Sequence, residues 1–240
     1  EIEAALAKPM APYQLSPFCQ TRARAISIGS NKSVGTGRLS RDAGDKKLFR
    51  ASPESDAVTL DLASDLIAEM GLGKGRATDL IAIGVSATDV VGHAYGTEGS
   101  EMCLQLEALD LGLGKFFDKL DKAKIDYIVV LTADHGGHDT VERNDANGIP
   151  DAVRTPDTFS AHAVGATIAA ELGLGKSALV GSEPAGDVWL DASIPANKKP
   201  LALARAKTVF LSYPQVAAVF TAAEIEATAP ANGPPETWSL

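Results

Sequence analysis

The 240-residue chain is 45% hydrophobic and 22% charged, enough apolar material for one large α/β domain or two small ones, and too much for a disordered chain. Its 31 acidic residues outnumber 22 basic ones, and the resulting net charge of −9 argues against nucleic acid or an anionic membrane as a partner. No apolar run approaches the roughly 20 residues that span a bilayer.

Residues 1–22 read as irregular and proline-containing, with a short helical hint at Ile2–Leu6. Ala25-Ile26-Ser27-Ile28-Gly29 predicts a brief strand. The Gly/Ser-rich passage from Ser30 to Lys46, with Lys32, Arg38 and Arg41, predicts a surface loop, and Lys32 and Arg38 read as solvated rather than as anion contacts. Ser52-Pro53 opens a helix: Ser as N-cap, Pro at the first helical position, Glu54 and Asp56 in the first turn. Val58, Leu62, Leu66 and Met70 form its expected buried stripe, with Ala63 and Ile67 beside it, and Gly71 is a natural C-cap. Leu80-Ile81-Ala82-Ile83-Gly84-Val85 predicts a buried strand ending in Ser86-Ala87-Thr88-Asp89-Val90-Val91-Gly92-His93.

An amphipathic helix follows over about Glu98 to Asp121, with Met102, Leu106, Leu109, Leu113, Phe116, Phe117 and Leu120 at spacings of three and four. It returns the chain to Tyr127-Ile128-Val129-Val130, a second buried strand ending in Leu131-Thr132-Ala133-Asp134-His135-Gly136-Gly137-His138-Asp139. Beyond lie a polar stretch, a helix from Ser160 to Glu171, a short strand at Val188–Leu190, a helix from Pro200 to Tyr213, a strand-like Val216–Phe220, a helical turn at Ala223–Ala227, and a last ten residues with no clear element. Cys103 reads as a small buried hydrophobe; a Cys19–Cys103 disulfide stays open but is not indicated.

Strand, helix, strand is a right-handed crossover, which sets both polar strand ends at one edge of a parallel sheet. Open α/β sheets put their active sites there. Asp89 and His93 share a face if their segment makes one helical turn. Joined to Asp134 and His135, they give two carboxylates and two imidazoles at one edge, a mixed N/O set that suits zinc better than manganese or iron. Calcium is compatible with the acidic balance, although no loop has EF-hand spacing.

Thr88-Asp89-Val90-Val91-Gly92-His93-Ala94-Tyr95-Gly96, followed by Leu131-Thr132-Ala133-Asp134-His135-Gly136, resembles the alkaline phosphatase superfamily. The nearer match is its branch of type I phosphodiesterases, nucleotide pyrophosphatases and secreted, monomeric bacterial zinc alkaline phosphatases. Phe49-Arg50-Ala51-Ser52-Pro53 and the helix behind it look like that branch too, and the likeness is strong over about residues 49–140. The resemblance implies an α/β fold, a mostly parallel sheet flanked by helices with an inserted cap region. It also implies two zinc ions about 4 Å apart clamping a phosphoryl group, with Asp89 and His93 on one and Asp134 and His135 on the other. A Thr or Ser nucleophile would form a phosphoenzyme that water then hydrolyses.

Neither the family's first-strand Asp nor its Thr/Ser nucleophile is found in residues 1–48, and no histidine follows His162 to serve as the last ligand. The expectation is therefore an internal fragment of one larger catalytic domain, incomplete at both ends and inactive alone. Residues 1–50 are lead-in and loop, 51–140 the metal-site core, and 141–240 an insertion or cap. The expected partners are a phosphate-ester substrate and the remaining N- and C-terminal parts of the same enzyme, in a monomer that is secreted or periplasmic. His138 and Asp139 read as supporting or solvent-facing, and His162 as structural or surface.

The function implied is alkaline phosphatase action on phosphate monoesters. Its rivals are a phosphodiesterase or nucleotide pyrophosphatase with the same metals and, in another class, a non-catalytic fragment or binding module. A cofactor-independent phosphoglycerate mutase fits less well on its metal motifs, and a sulfatase lacks its Cys-x-Pro-x-Arg site.

Overall fold

The computed structural model describes residues 2–29, 31–149, 151–181 and 186–228, and the expectation for the last ten residues lies outside them. The chain divides into two units, Glu1–Ala152 and Val153–Leu240.

The first unit begins with short elements: α1 (Ile2–Leu6), α2 (Pro17–Gln20), the antiparallel pair β1 (Ile26–Ser27) and β2 (Ser33–Val34), and α3 (Lys46–Arg50). Local capping explains two of them. Ser16 accepts the Cys19 N–H to start α2, and Asp45 accepts the Leu48 N–H to start α3. The passage from 30 to 46 is not simply a surface loop. Lys32 and Arg38 are exposed, but Leu39 and Arg41 are buried. The Arg41 guanidinium donates to Glu54 at 2.7 Å and to the carbonyls of Ala5 and Leu6. A buried arginine needs such partners, and they come from residues far from it in sequence.

Four helices complete the unit: α4 (Pro53–Met70), α5 (Ala87–Tyr95), α6 (Ser100–Lys122) and α7 (Val141–Ala146). Pro53 starts α4 and Gly71, at φ +66°, ends it. Ser52 stands at the N-cap but its hydroxyl donates to the Phe49 carbonyl instead of capping. The buried stripe of α4 is Leu60, Ala63 and Ile67, packed on Phe116 and Leu120 of α6. Leu62, Leu66 and Met70 are exposed, so the stripe expected there is corrected by part of a turn. Two apolar stripes run along α4, and the one containing the small Ala63 is the one that meets α6. On α6 the expected Leu106 is likewise half exposed.

Residues 80–85 and 127–131 belong to no helix and to no strand ladder. Among the described residues the sheets are antiparallel pairs only, β1–β2 here and one in the second unit. Ile83, Val85 and Tyr127 pack against the α4–α6 core, while Leu80, Ile128, Val130 and Leu131 face outward. Burial alternates over 82–85, whereas in 127–131 every residue after Tyr127 is exposed; neither segment meets a hydrogen-bonding neighbour among the described residues, and strand pairing is not a local property. The parallel ladder expected between them is not formed.

The second unit contains α8 (Ala161–Leu172), β3 (Leu179–Gly181) paired antiparallel with β4 (Val188–Leu190), α9 (Lys199–Leu211) and α10 (Ala222–Ala227). Ser160 caps α8 through the Ala163 N–H. Val164, Ile168, Leu179, Ala202 and Phe210 form its core. The strand expected at 216–220 is unpaired, and α10 starts in a capping box between Thr221 and Glu224.

Candidate metal centre

The N-terminus of α5 is built by a residue distant in sequence. Ser86 makes no side-chain cap. Instead the buried carboxylate of Asp56, on α4, accepts the Ala87 N–H at 3.0 Å and the Gln105 side-chain amide of α6 at 2.9 Å. Burial pushes the Asp56 carboxyl above its ordinary value, and those two hydrogen bonds oppose the rise. Ala87 and Val91 turn inward, which leaves Asp89 and His93 on the open face of the helix.

That face holds the expected constellation. His93 Nε2 lies 3.5 Å from Asp89 Oδ1, and His135 Nε2 lies 3.7 Å from the same oxygen. His135 Nε2 is also 3.5 Å from Asp134 Oδ2. All four side chains are solvent-accessible. The structure thus brings together Asp89, His93, Asp134 and His135, although the ladder expected to do so is absent.

His135 Nδ1 contacts the Gly136 carbonyl at 2.7 Å. A carbonyl only accepts, so Nδ1 carries the proton and a neutral ring presents its Nε2 lone pair to two carboxylates. A proton or a metal cation at Nε2 resolves that arrangement. In the metal-free protein the Gly136 bond first, then the charges of Asp134 and Asp89, raise the His135 pKa. The four donors link as a chain, His93 to Asp89 to His135 to Asp134, a mixed imidazole and carboxylate set whose chemistry fits divalent metal.

His138 is exposed and Asp139 is buried. Asp139 Oδ1 accepts the Thr97 N–H at 2.9 Å and pairs with Arg143 of α7 at 2.5 Å. His162 lies on α8, in the second unit. Asp56, Gln105 and Arg143 carry no motif and were not anticipated; the spacing of Asp139 and Arg143, four apart with opposite charge, was the one local sign.

Cys19 and Cys103 form a disulfide, Cα atoms 5.5 Å apart, which corrects the reading of Cys103 as a free hydrophobe. Helix α2 is brought to α6 beside it by Ser16, whose hydroxyl donates to Glu107 at 2.6 Å. Nearby, buried Glu101 accepts the backbone N–H groups of Gly35, Thr36 and Gly37 at 2.8–3.0 Å, fixing the loop before α3 to the first turn of α6.

Residues 24–202 match the family model of the type I phosphodiesterase / nucleotide pyrophosphatase family. The chain is 49% identical over 236 residues to the alkaline phosphatase PhoK of Sphingomonas sp, covering 98% of this chain and 42% of that protein. It is 40% identical to the alkaline phosphatase PhoD of Zymomonas mobilis subsp. mobilis, covering 92% of this chain and 39% of that protein. It superposes on the crystal structure of wild-type alkaline phosphatase PafA with a TM-score of 0.73 at 22% identity, over 96% of this chain and 46% of that one. That superposition shows an alkaline-phosphatase-like α/β fold. The chain spans less than half the length of each of these relatives.

Proposed function

Because the chain belongs to the type I phosphodiesterase / nucleotide pyrophosphatase family, we propose that it carries part of the two-metal site of a zinc-dependent alkaline phosphatase acting on phosphate monoesters. The observation that carries this reading is the single oxygen Asp89 Oδ1, within 3.7 Å of the imidazoles of both motifs. Asp89 and His93 hold one ion; Asp134 and His135 hold the other. Two imidazoles favour zinc over calcium. When bound, such ions supply Lewis acidity, neutralising phosphoryl oxygens and lowering the pKa of an attacking hydroxyl or water.

The remaining work falls to the protein. Helix α5 presents Asp89 and His93 from one face, and the Nδ1–H bond to Gly136 holds the His135 ring with Nε2 forward. Side-chain-free Gly136 and Gly137 follow the ligands, which favours close approach of a substrate. The phosphoryl group would pass to a Thr or Ser hydroxyl on a segment outside these residues as the ester oxygen leaves with its alcohol, and then to water, which releases phosphate and restores the hydroxyl. The Cys19–Cys103 disulfide supports a secreted or periplasmic site of action, where such bonds persist. Among the described residues no helix is long and apolar enough to cross a membrane.

The name of the matching family favours a second reading, hydrolysis of phosphodiesters or nucleotide pyrophosphates at the same metals. Elemental analysis of the full-length protein and its rates on nitrophenyl phosphate and bis(nitrophenyl) phosphate separate the readings. Two zincs and faster monoester turnover are expected. Faster diester turnover would replace the substrate assignment, and a metal-free intact protein would leave a binding module.

A further inference from the structure

We infer that the buried Asp139–Arg143 pair is a positioning device that fixes the two half-sites against each other; the inference rests on the two-metal reading above. Asp139 follows His135 by four residues, and Tyr95 and Thr97 follow His93 by two and four. Asp139 Oδ1 accepts the Thr97 N–H at 2.9 Å and an Arg143 N–H at 2.5 Å, while the same guanidinium donates to the Tyr95 carbonyl at 3.3 Å. One ion pair therefore ties the chain leaving the Asp89/His93 half to the chain leaving the Asp134/His135 half.

The backbone closes on this pair through glycines. Gly96 sits at φ +86°, and a Cβ there would overlap Asp139 Oδ1 and come within 2.7 Å of Arg143. A Cβ at Gly99 would lie 2.7 Å from the guanidinium. The side chains of Arg143 and Asp139 are 8% and 1% exposed, and Asp139 Oδ2 has no hydrogen-bond partner among the described residues. A buried ion pair with an unpaired oxygen is a poor source of stability, and apolar side chains of similar volume would serve that end as well. What they could not do is grip an amide of one segment and a carbonyl two residues away while anchored in the other segment. Asp139 and Arg143 touch neither metal nor substrate in this scheme. They act through the backbone.

The test uses the full-length protein carrying Asp139→Asn together with Arg143→Gln, which removes both charges and leaves neither buried alone. Arg143→Lys, which keeps the charge but loses the fork, is measured beside it. Zinc stoichiometry, zinc affinity by chelator competition, and melting temperature with and without zinc are the readouts. We expect affinity for at least one ion to fall about tenfold or more, and the zinc-induced rise in melting temperature to shrink. If the double variant does not fold, Arg143→Lys decides by the same comparison. Melting temperatures lowered equally with and without zinc, at wild-type zinc affinity, would mark the pair as merely structural and overturn the inference. A wild-type protein that binds no zinc would instead bring down the two-metal reading, and this inference with it.

Discussion

Asp89 and His93 stand on a helix tied at both ends, whereas Asp134 and His135 stand on chain with no regular hydrogen bonding. The first pair inherits its geometry from α5, capped by Asp56 and packed on α3, α4 and α6. The second pair depends on its own turn, in which the His135 N–H bonds Asp134 Oδ1 at 3.0 Å and the ring bonds Gly136, and on the anchor at Asp139. One half of the candidate centre is therefore pre-built by tertiary packing, and the other is held locally.

The largest effect is expected from the covalent support of α6, the helix on which α5 packs. Cys19 and Cys103 are 84 positions apart, and a closed loop of that length restricts the unfolded chain by about 4–5 kcal/mol. Cys19→Ser with Cys103→Ser should lower the urea midpoint accordingly, and amide exchange in α5 should speed up with it. An unchanged midpoint would show that the tie adds nothing to the helical half.

On the two-metal reading, removing a candidate ligand from either half of the full-length protein should cut phosphatase activity by more than about 100-fold, beyond the loss usual for residues one step further from a metal. The two variants should differ structurally. His93→Ala leaves α5 intact, since its cap and buried face lie elsewhere, whereas Asp134→Ala also releases the His135 N–H. Backbone NMR shifts should move around residues 134–137 far more in Asp134→Ala than around residues 91–95 in His93→Ala. Equal local changes would erase the distinction.

How much of this could be read from sequence follows the same division. The D-x-x-x-H spacing and helices α4 and α6 are local patterns, and they appear where the sequence placed them, whereas the strand expected beneath the Asp134-His135 pair is not formed. The supports are not local. Asp56 and Glu101 look like ordinary acidic residues of first helical turns, yet one caps another helix and the other anchors a loop. Arg41 sits in a polar passage that resembles any solvated loop until Glu54 and two carbonyls are brought to it. The α4 stripe missed because two apolar faces compete on one helix, and only α6 chooses between them. For 80–85 and 127–131 the sequence shows unbroken apolar runs, but a ladder also needs a neighbour.

The Asp56 cap offers a smaller effect with a sign that can be checked. Asp56→Ala strands the Ala87 N–H and the Gln105 amide, a loss of about 2–3 kcal/mol for hydrogen bonds to a buried charge. The carboxyl itself is raised above 3.8 by burial, so the folded state binds its proton more tightly than the unfolded chain does. Its contribution is full below pH 3.8 and is lost as the pH climbs through the raised folded value. Asp56→Asn should remove that downward slope from the stability–pH curve over the same window. A slope unchanged in the variant would assign it to other groups.

The smallest effect compares one glycine from each half, both facing the same methyl group. Gly92 lies inside α5, and a Cβ there would sit 3.7 Å from Thr97 Cγ2 and 3.5 Å from Met102 Cε, ordinary contacts. Gly92→Ala should therefore stabilise by about 0.5–1 kcal/mol through reduced freedom of the unfolded chain, raising the melting temperature by about 1–4 °C. A Cβ at Gly137, in the loop half, would come within 3.2 Å of Thr97 Cγ2, close enough that Thr97 must yield. Thr97 is also the amide donor to Asp139, so that displacement pulls on the anchor of the loop half. Gly137→Ala should accordingly gain nothing in melting temperature and lose zinc affinity, while Gly92→Ala gains stability at unchanged affinity. A gain in stability at one position and none at the other, around one threonine, is what a pre-built half and a locally held half require; a gain at both would mean that the loop half is as firmly set as the helix.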